Sequence, residues 1–194
     1  RQVLSVKAVL EEIRGVMRGL LPAPIDLDMV IEDASMDVEV DREGLEQILL
    51  HLAVNARDAM PHGGRLRIEA KQAFRGHESE SANGRGGHRS KVLIQVSDTG
   101  SGMSLETQSH MFEPFFSTKE MNVGLGLTAV YGIVKHSAGQ VDVVSRPGQG
   151  TVVRVTLPLA GQGRSPAPSI LAEVSAKGQE TVLLVEPNEI DRKL

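Results

Sequence analysis

The chain has 194 residues, 40% hydrophobic and 24% charged, with a formal net charge of −4. That is enough for one domain with a sizeable core and a short appendage, and too little for two full domains. The absence of Cys excludes a disulfide framework and a thiolate zinc site. No basic run or basic–aromatic interleaving points to nucleic acid, and no apolar run approaches the ~18 residues that span a bilayer.

Residues 3–20 carry Val3, Val6, Val9, Leu10, Ile13, Val16, Met17 and Leu20 at mostly three- and four-residue spacing, which predicts an amphipathic helix ended by Pro22 and Pro24. IDLDMVIED (25–33) alternates apolar and acidic residues, as a half-buried strand does. Asp41 is a suitable N-cap for a second helix running to about Met60, with Leu45, Ile48, Leu49, Leu52 and Ala56 on its apolar face. Residues 65–74 alternate as a strand, 76–90 form a polar Gly/Ser-rich loop, and KVLIQVSD (91–98) is a second strand. A short helix follows at 104–111, a longer one at 124–139 that begins at glycines, and a hairpin at 140–158 with Pro147-Gly148 in its turn.

Residues 160–178 read as a linker, and TVLLVEPNE after them as a short buried strand. The start at Arg1 and the stop after Leu194 suggest a piece of a longer chain. The lack of a signal peptide predicts a soluble, cytoplasmic piece. The order of elements predicts an α+β fold, a two-layer α/β sandwich with a mixed sheet covered by helices on one face. Aromatic residues make up only 3% of the chain, so the core must be aliphatic. Three of the four Phe (Phe112, Phe115, Phe116) fall within five residues and need their own explanation.

Four segments carry chemistry. In DTGSGM, Asp98 to Met103, a carboxylate at a strand end can accept from a base edge, while the glycines let a planar ligand approach the backbone. Asp and Gly also form ordinary turns. In GLGL, Gly124 to Leu127, glycines at a helix start expose amides beside the positive dipole end, a phosphate cradle. The same glycines serve close helix packing, and neither a Walker A loop nor a dinucleotide fingerprint is present. In HLAVNARDAM, His51 and Asn55 are one turn apart, with Asp58 three residues on. A carboxamide oxygen suits magnesium; a satisfied polar group and a packed core His are the bland alternatives. In MFEPFFSTK, an apolar cluster precedes Ser117, Thr118 and Lys119, which suits a lid anchored by its rings with Lys119 reaching an anion, or simply a loop pinned into the core.

In this fixed order the segments resemble the ATP-binding domain of bacterial sensor histidine kinases, within the superfamily shared with gyrase, MutL and the Hsp90-type chaperones. HLAVNARDAMPHGGRLRI resembles the N box, DTGSGM the first glycine box, FEPFFSTK the F box, VGLGLTAVYGIVKHSAGQ the second glycine box and PGQGTVVRVTLP the closing hairpin. The resemblance covers residues 1–159 as the catalytic ATP-binding domain, with 160–178 a linker and 179–194 the truncated start of a receiver-like domain. It implies the cofactors ATP and Mg²⁺. Asn55 matches the magnesium ligand, and Asp98 the acid that bonds the adenine amino group. Gly100 and Gly102 match the glycines under the base, beside Met103. Gly124 and Gly126, with Leu125 and Leu127, match the phosphate-cradling segment. Thr151 matches a water-mediated adenine contact, and Lys119 stands at the start of the lid. Asp58 belongs to the nucleotide-binding segment by its place in the N box.

The implied function is donation of the γ-phosphoryl to a histidine on a separate dimerisation domain, with Asn55, His51 and Lys119 as catalytic candidates. The implied partners are the chain's own dimerisation and phosphoacceptor domain and a receiver or response regulator, with no nucleic acid and no membrane contact by this piece. The resemblance leaves room for a membrane anchor elsewhere in a full-length protein.

There are departures. His51 stands where the family has Asn, and related ATPases have a base Glu there; an imidazole can accept a proton or contact a magnesium-bound water. Asn122 stands for a Gly, and the lid stretch EMNV is short. These motivate an alternative, a degenerate nucleotide-binding regulatory module acting through protein contacts. A gyrase- or MutL-type ATPase is a third reading, opposed by the F box and by the missing base Glu. No His is followed by the family's acceptor pattern; where a receiver carries its acidic pair the chain has Glu186, Pro187, Asn188 and Glu189, and the acceptor Asp would lie beyond Leu194.

Overall fold

A computed structural model of the chain describes residues 2–32, 35–73, 90–116 and 126–161. The linker and the receiver-like strand expected after them, and most of the loop expected at 76–90, lie outside the described residues.

The chain opens with β1 (Gln2–Ser5) and α1 (Val6–Leu20). The helix therefore starts three residues later than the periodicity predicts. QVLS pairs antiparallel with β3, and Ser5 caps α1 by accepting from the Ala8 N–H (3.4 Å). Val6, Val9, Leu10, Ile13 and Met17 are buried, as expected of an amphipathic helix. Val3 and Val16 are exposed, so those two matches to the pattern do not reach the core.

Next come β2 (Ile25–Ile31), β3 (Asp37–Val40) and α2 (Arg42–Ala59). Sequence reading missed β3: four residues pair with β1 and with nothing local, so no turn chemistry announces them. Asp41 is the N-cap residue of α2 but makes no side-chain cap bond. Arg42 instead bridges Glu46 one turn on and Glu12 of α1, locking the two helices together at their surface.

β4 (Gly64–Ala73) and β5 (Lys91–Asp98) follow the alternating segments closely. The last elements are α3 (Leu105–His110), α4 (Gly126–His136), β6 (Gln140–Ser145) and β7 (Thr151–Pro158).

The main sheet has the order β2-β4-β5-β7-β6, with β2 parallel to β4 and every other pair antiparallel. This is the mixed sheet of the predicted α+β two-layer sandwich. The period of two puts Leu66, Ile68, Ala70, Val92, Ile94, Val96, Val153, Val155 and Leu157 on one face, all buried beneath the helices. α2 supplies Leu45, Ile48, Leu49, Leu52, Ala53 and Ala56 against it. The buried core of the described residues is Val, Leu, Ile, Met and Ala without a single aromatic ring, as the composition predicts. Each fully buried aliphatic side chain contributes about 1.5–3 kcal/mol.

The opposite face is a polar ladder. Arg67 bonds Asp28 (3.0 Å) and Glu69 (2.7 Å), Gln95 donates to Glu69 (3.3 Å), and Arg154 donates to Gln95 (3.0 Å). The hydrogen bond and charge of Glu69, with the charge of Asp28, raise the Arg67 pKa further above its ordinary value. A face whose polar groups satisfy one another across four strands has no need of a second helical layer, which is why the sandwich stops at two.

Candidate functional site

Three elements converge at one end of the sheet. β5 ends at Asp98, β7 begins at Thr151, and the register pairs these two residues directly. Asp98 Oδ1 accepts from the Gly100 N–H (2.8 Å) and from the Thr151 N–H (3.2 Å). The first bond is that of an ordinary Asx-turn; the second, from the paired strand β7, fixes the carboxylate at the strand end.

The loop after Asp98 is clamped from two sides. On one side it meets α2: the Ser101 N–H donates to the Ala59 carbonyl (3.0 Å), and a Cβ on Gly100 would come within 2.7 Å of Ala59 Cβ. On the other it meets the β6–β7 turn, where the Gly148 N–H donates to the Ser101 carbonyl (2.7 Å). Gly102 sits at φ 66° against the Arg146 carbonyl, and Gly150 at φ 79° against the backbone of Asp98. Both positions need glycine for conformation and for space.

α2 places Asn55 one turn before Ala59, so one helix supports both ends of the site. A methyl group at Gly126, the first residue of α4, would lie 3.6 Å from His51 Nδ1 and 3.8 Å from both polar atoms of the Asn55 carboxamide. The N-terminus of α4 therefore faces His51 and Asn55 directly. His51 Nε2 lies 3.3 Å from Gln47 Nε2, a contact that orients the ring with Nδ1 toward α4. Asp58 accepts from Arg57 Nε and Nη2 (3.0 and 2.8 Å). A Cβ on Gly44 would come within 3.0 Å of Ile133 Cγ2, so α2 and α4 pack closely at that end.

The Phe cluster does not act as a single anchor. The Phe112 ring packs on Tyr131 of α4 (5.1 Å between centroids), and the Phe112 carbonyl accepts from Thr128 Oγ1 (3.2 Å). The Phe116 ring packs on His110 (5.5 Å). Phe115, at φ 66°, is 75% exposed. The expectation that all three rings anchor a lid is corrected accordingly: Phe112 ties the segment to α4, whereas the left-handed turn after Pro114 leaves Phe115 on the surface.

The structure thus brings Asp98, Gly100, Gly102 and Thr151 into one cluster, and His51, Asn55 and Gly126 into a second, joined through α2. Met103 N–H donates to Ser145 Oγ (2.9 Å), and Leu127 is partly buried against the core. Lys119, Gly124 and Leu125 lie outside the described residues, as do Ser117, Thr118 and Asn122. Sequence reading did not single out Gln47, Gln108 or Ser145. Gln108 Nε2 lies 3.1 Å from both the Met103 and the Ser145 carbonyls, pinning α3 to the loop and to β6. Gln47 stands one turn before His51, a spacing that could have marked it; Gln108 and Ser145 belong to no motif spacing and meet their partners through the fold.

Among the described residues, no group of three His, Asp or Glu converges on a metal-sized site. The donor set suits magnesium only in its habitual role, one protein oxygen with waters and phosphate oxygens completing the octahedron. Asn55 Oδ1 beside a helix N-terminus is such an oxygen. No helix of the described residues is long and apolar enough to cross a membrane.

The fold and this arrangement define a class: a two-layer sandwich in which a carboxylate at the sheet end, a glycine loop and the N-terminus of α4 are brought together along α2. The family of histidine kinase-, DNA gyrase B- and HSP90-like ATPases matches residues 40–161. The chain belongs to that family, in its sensor histidine kinase branch. It is 34% identical to the sensor kinase CckA of Brucella abortus over 206 residues, covering 98% of this chain and 21% of that protein. It is 31% identical to the signal transduction histidine-protein kinase AtoS of Escherichia coli over 163 residues, covering 84% of this chain and 24% of that protein. The chain thus spans about a fifth to a quarter of the length of these curated relatives. Among solved structures, the mycobacterial sensor histidine kinase MprB superimposes with a TM-score of 0.66 at 20% identity, covering 81% of this chain and 98% of that one. The catalytic domain of histidine kinase ThkA does so with a TM-score of 0.62 at 23% identity, covering 81% and 95%. At these identities the structures speak for the fold alone.

Proposed function

We propose that the chain binds Mg-ATP between α2 and the start of α4, over the Asp98 end of the sheet, and donates the γ-phosphoryl to a histidine on a separate dimerisation domain. The observation that carries this reading is the convergence of the two clusters on one helix. Asp98 is fixed by the Gly100 and Thr151 amides, and Asn55, one turn before the clamp at Ala59, faces Gly126.

In this reading the Asp98 carboxylate accepts from the exocyclic amine of adenine. Gly100 and Gly102 let the base approach the backbone, beside Met103, and Thr151 adds a water-mediated contact. The amides of Gly126 and Leu127 at the start of α4 hold the phosphates, aided by the helix dipole, and the resemblance adds those of Gly124 and Leu125. Lys119 meets the phosphate chain. Asn55 would hold magnesium, which neutralises phosphate charge when bound. His51, oriented by Gln47, borders the phosphate end, and Asp58 completes the polar edge of α2.

The acceptor imidazole nitrogen forms a bond to the γ-phosphorus as the bond from that phosphorus to the bridging oxygen breaks, and ADP leaves. Such transfer needs mainly positioning and charge neutralisation, which these residues supply. The reading places 160–178 as a linker and 179–194 as the start of a receiver. The partners are then the dimerisation domain and a receiver or response regulator, and the module works in the cytoplasm.

The test is Mg-ATP binding by calorimetry, with phosphoryl transfer to a supplied dimerisation domain. Asp98→Asn replaces an acceptor with a donor opposite the amine, and the loss of a charged hydrogen bond should weaken ATP about 10- to 100-fold. Asn55→Ala should abolish transfer. Unchanged affinity and activity in both variants would sink the reading.

A further inference from the structure

Ser145, the last residue of β6, is buried, with 8% of its surface exposed. Its hydroxyl makes three contacts. The Met103 N–H donates to it (2.9 Å), the Gly150 carbonyl lies at 3.0 Å, and Thr151 Oγ1 lies at 2.9 Å. A hydroxyl has one proton and two acceptor lone pairs. The Gly150 carbonyl can only accept, so the Ser145 proton goes there. If it turned to Thr151 instead, two oxygens would face each other at 3.0 Å without a proton between them. With one lone pair taken by Met103, the other accepts the Thr151 proton, and all three contacts are satisfied.

The polarity of the Thr151 hydroxyl follows. Its proton is spent on Ser145, so it turns only lone pairs toward the rest of its surroundings. Its neighbour across the ladder is Asp98, whose carboxylate is also an acceptor. The strand end therefore offers acceptors from both residues, and a water bridging Thr151 and Asp98 spends its two protons on them and turns its lone pairs to the base. That matches a purine with an amino group at position 6, which donates, and opposes one with a carbonyl there, which accepts.

We propose that Ser145 is a specificity-positioning residue: by fixing the direction of the Thr151 hydroxyl it sets the preference for adenine over guanine nucleotides. Gln108 reinforces the geometry by gripping the Ser145 and Met103 carbonyls. The inference rests on the reading that Asp98 and Thr151 face the base.

The experiment measures Mg-ATP and Mg-GTP affinities of the purified chain by calorimetry, with thermal melts beside them. Ser145→Ala releases the Thr151 hydroxyl to rotate and donate, and should lower the ATP-to-GTP affinity ratio about fivefold, the size of one hydrogen bond. Ser145→Thr, which keeps the hydroxyl, should retain the ratio. In a Thr151→Val background, Ser145→Ala should leave the ratio where Thr151→Val put it, an outcome that a merely structural role for Ser145 does not produce. An unchanged ratio in Ser145→Ala, or an equal fall in the Thr151→Val background, overturns the inference. Should Ser145→Ala not fold, Thr151→Val alone decides: it must lower the ratio about fivefold, and an unchanged ratio overturns the inference. Failure of the parent chain to bind either nucleotide would instead overturn the proposed function.

Discussion

The docking of the Asp98 loop on the β6–β7 turn can be isolated by comparing two glycines of the same backbone class. Gly102 and Gly148 have φ values of 66° and 74°, so an alanine at either meets the same left-handed penalty. That penalty is about 1–2 kcal/mol, partly offset by the ~0.4–1 kcal/mol gained from a stiffer unfolded chain. Around Gly148 nothing lies within 4 Å of the added methyl group. At Gly102 the methyl would stand 2.7 Å from the Arg146 carbonyl carbon, nearer still to its oxygen, and 3.2 Å from the Gly150 carbonyl oxygen. The loop and the turn must then part, at a further cost of about 1–3 kcal/mol. Gly148→Ala should therefore cost about 1 kcal/mol and Gly102→Ala about 2–4 kcal/mol. At about 2–4 °C per kcal/mol for a chain of this size, thermal melts separate them. Calorimetry should show ATP affinity falling at least tenfold in Gly102→Ala and changing little in Gly148→Ala. Equal melting points and equal affinities in the two variants would refute the claim that the turn is the platform of the loop.

Three further substitutions address the segment between the glycine loops and its hold on α4. Phe112→Ala loses the ring pair with Tyr131 and should cost about 1–2 kcal/mol, read by urea unfolding, whereas exposed Phe115→Ala should stay within about 0.5 kcal/mol of the parent. Thr128→Val removes the one hydroxyl proton shared between the Phe112 and Glu113 carbonyls and should cost about 1 kcal/mol, with faster hydrogen exchange confined to residues 110–116; unchanged exchange there would show that Thr128 does not hold the segment to α4.

Much of the sheet was legible because its chemistry is periodic. The alternation of 65–74 and 91–98 set both strands and which face of each is buried, and Leu45, Ile48, Leu49, Leu52 and Ala56 marked the face of α2. What escaped was non-local. β1 and β3 are strands only because they pair with each other, and Val3 and Val16 fit a helical pattern while remaining exposed. Asp98, Asn55 and the glycines stood out as residue types that bind nucleotides at strand and helix ends. Ser145 and Gln108 did not, because the contacts that join β6, α3 and the Asp98 loop are made through the fold and follow no motif spacing. Phe115 was misread for a related reason: hydrophobicity predicts burial, but a positive φ in the turn decided otherwise.

The claim on which the account rests is that this sheet end binds Mg-ATP through Asp98. Titrating the purified chain with Mg-ATP by calorimetry, beside its Asp98→Asn variant, tests it most directly. The account predicts saturable heat with one site for the parent chain and a strongly weakened or absent response for the variant. No heat from the parent chain at millimolar nucleotide, or identical isotherms for the two proteins, would contradict it.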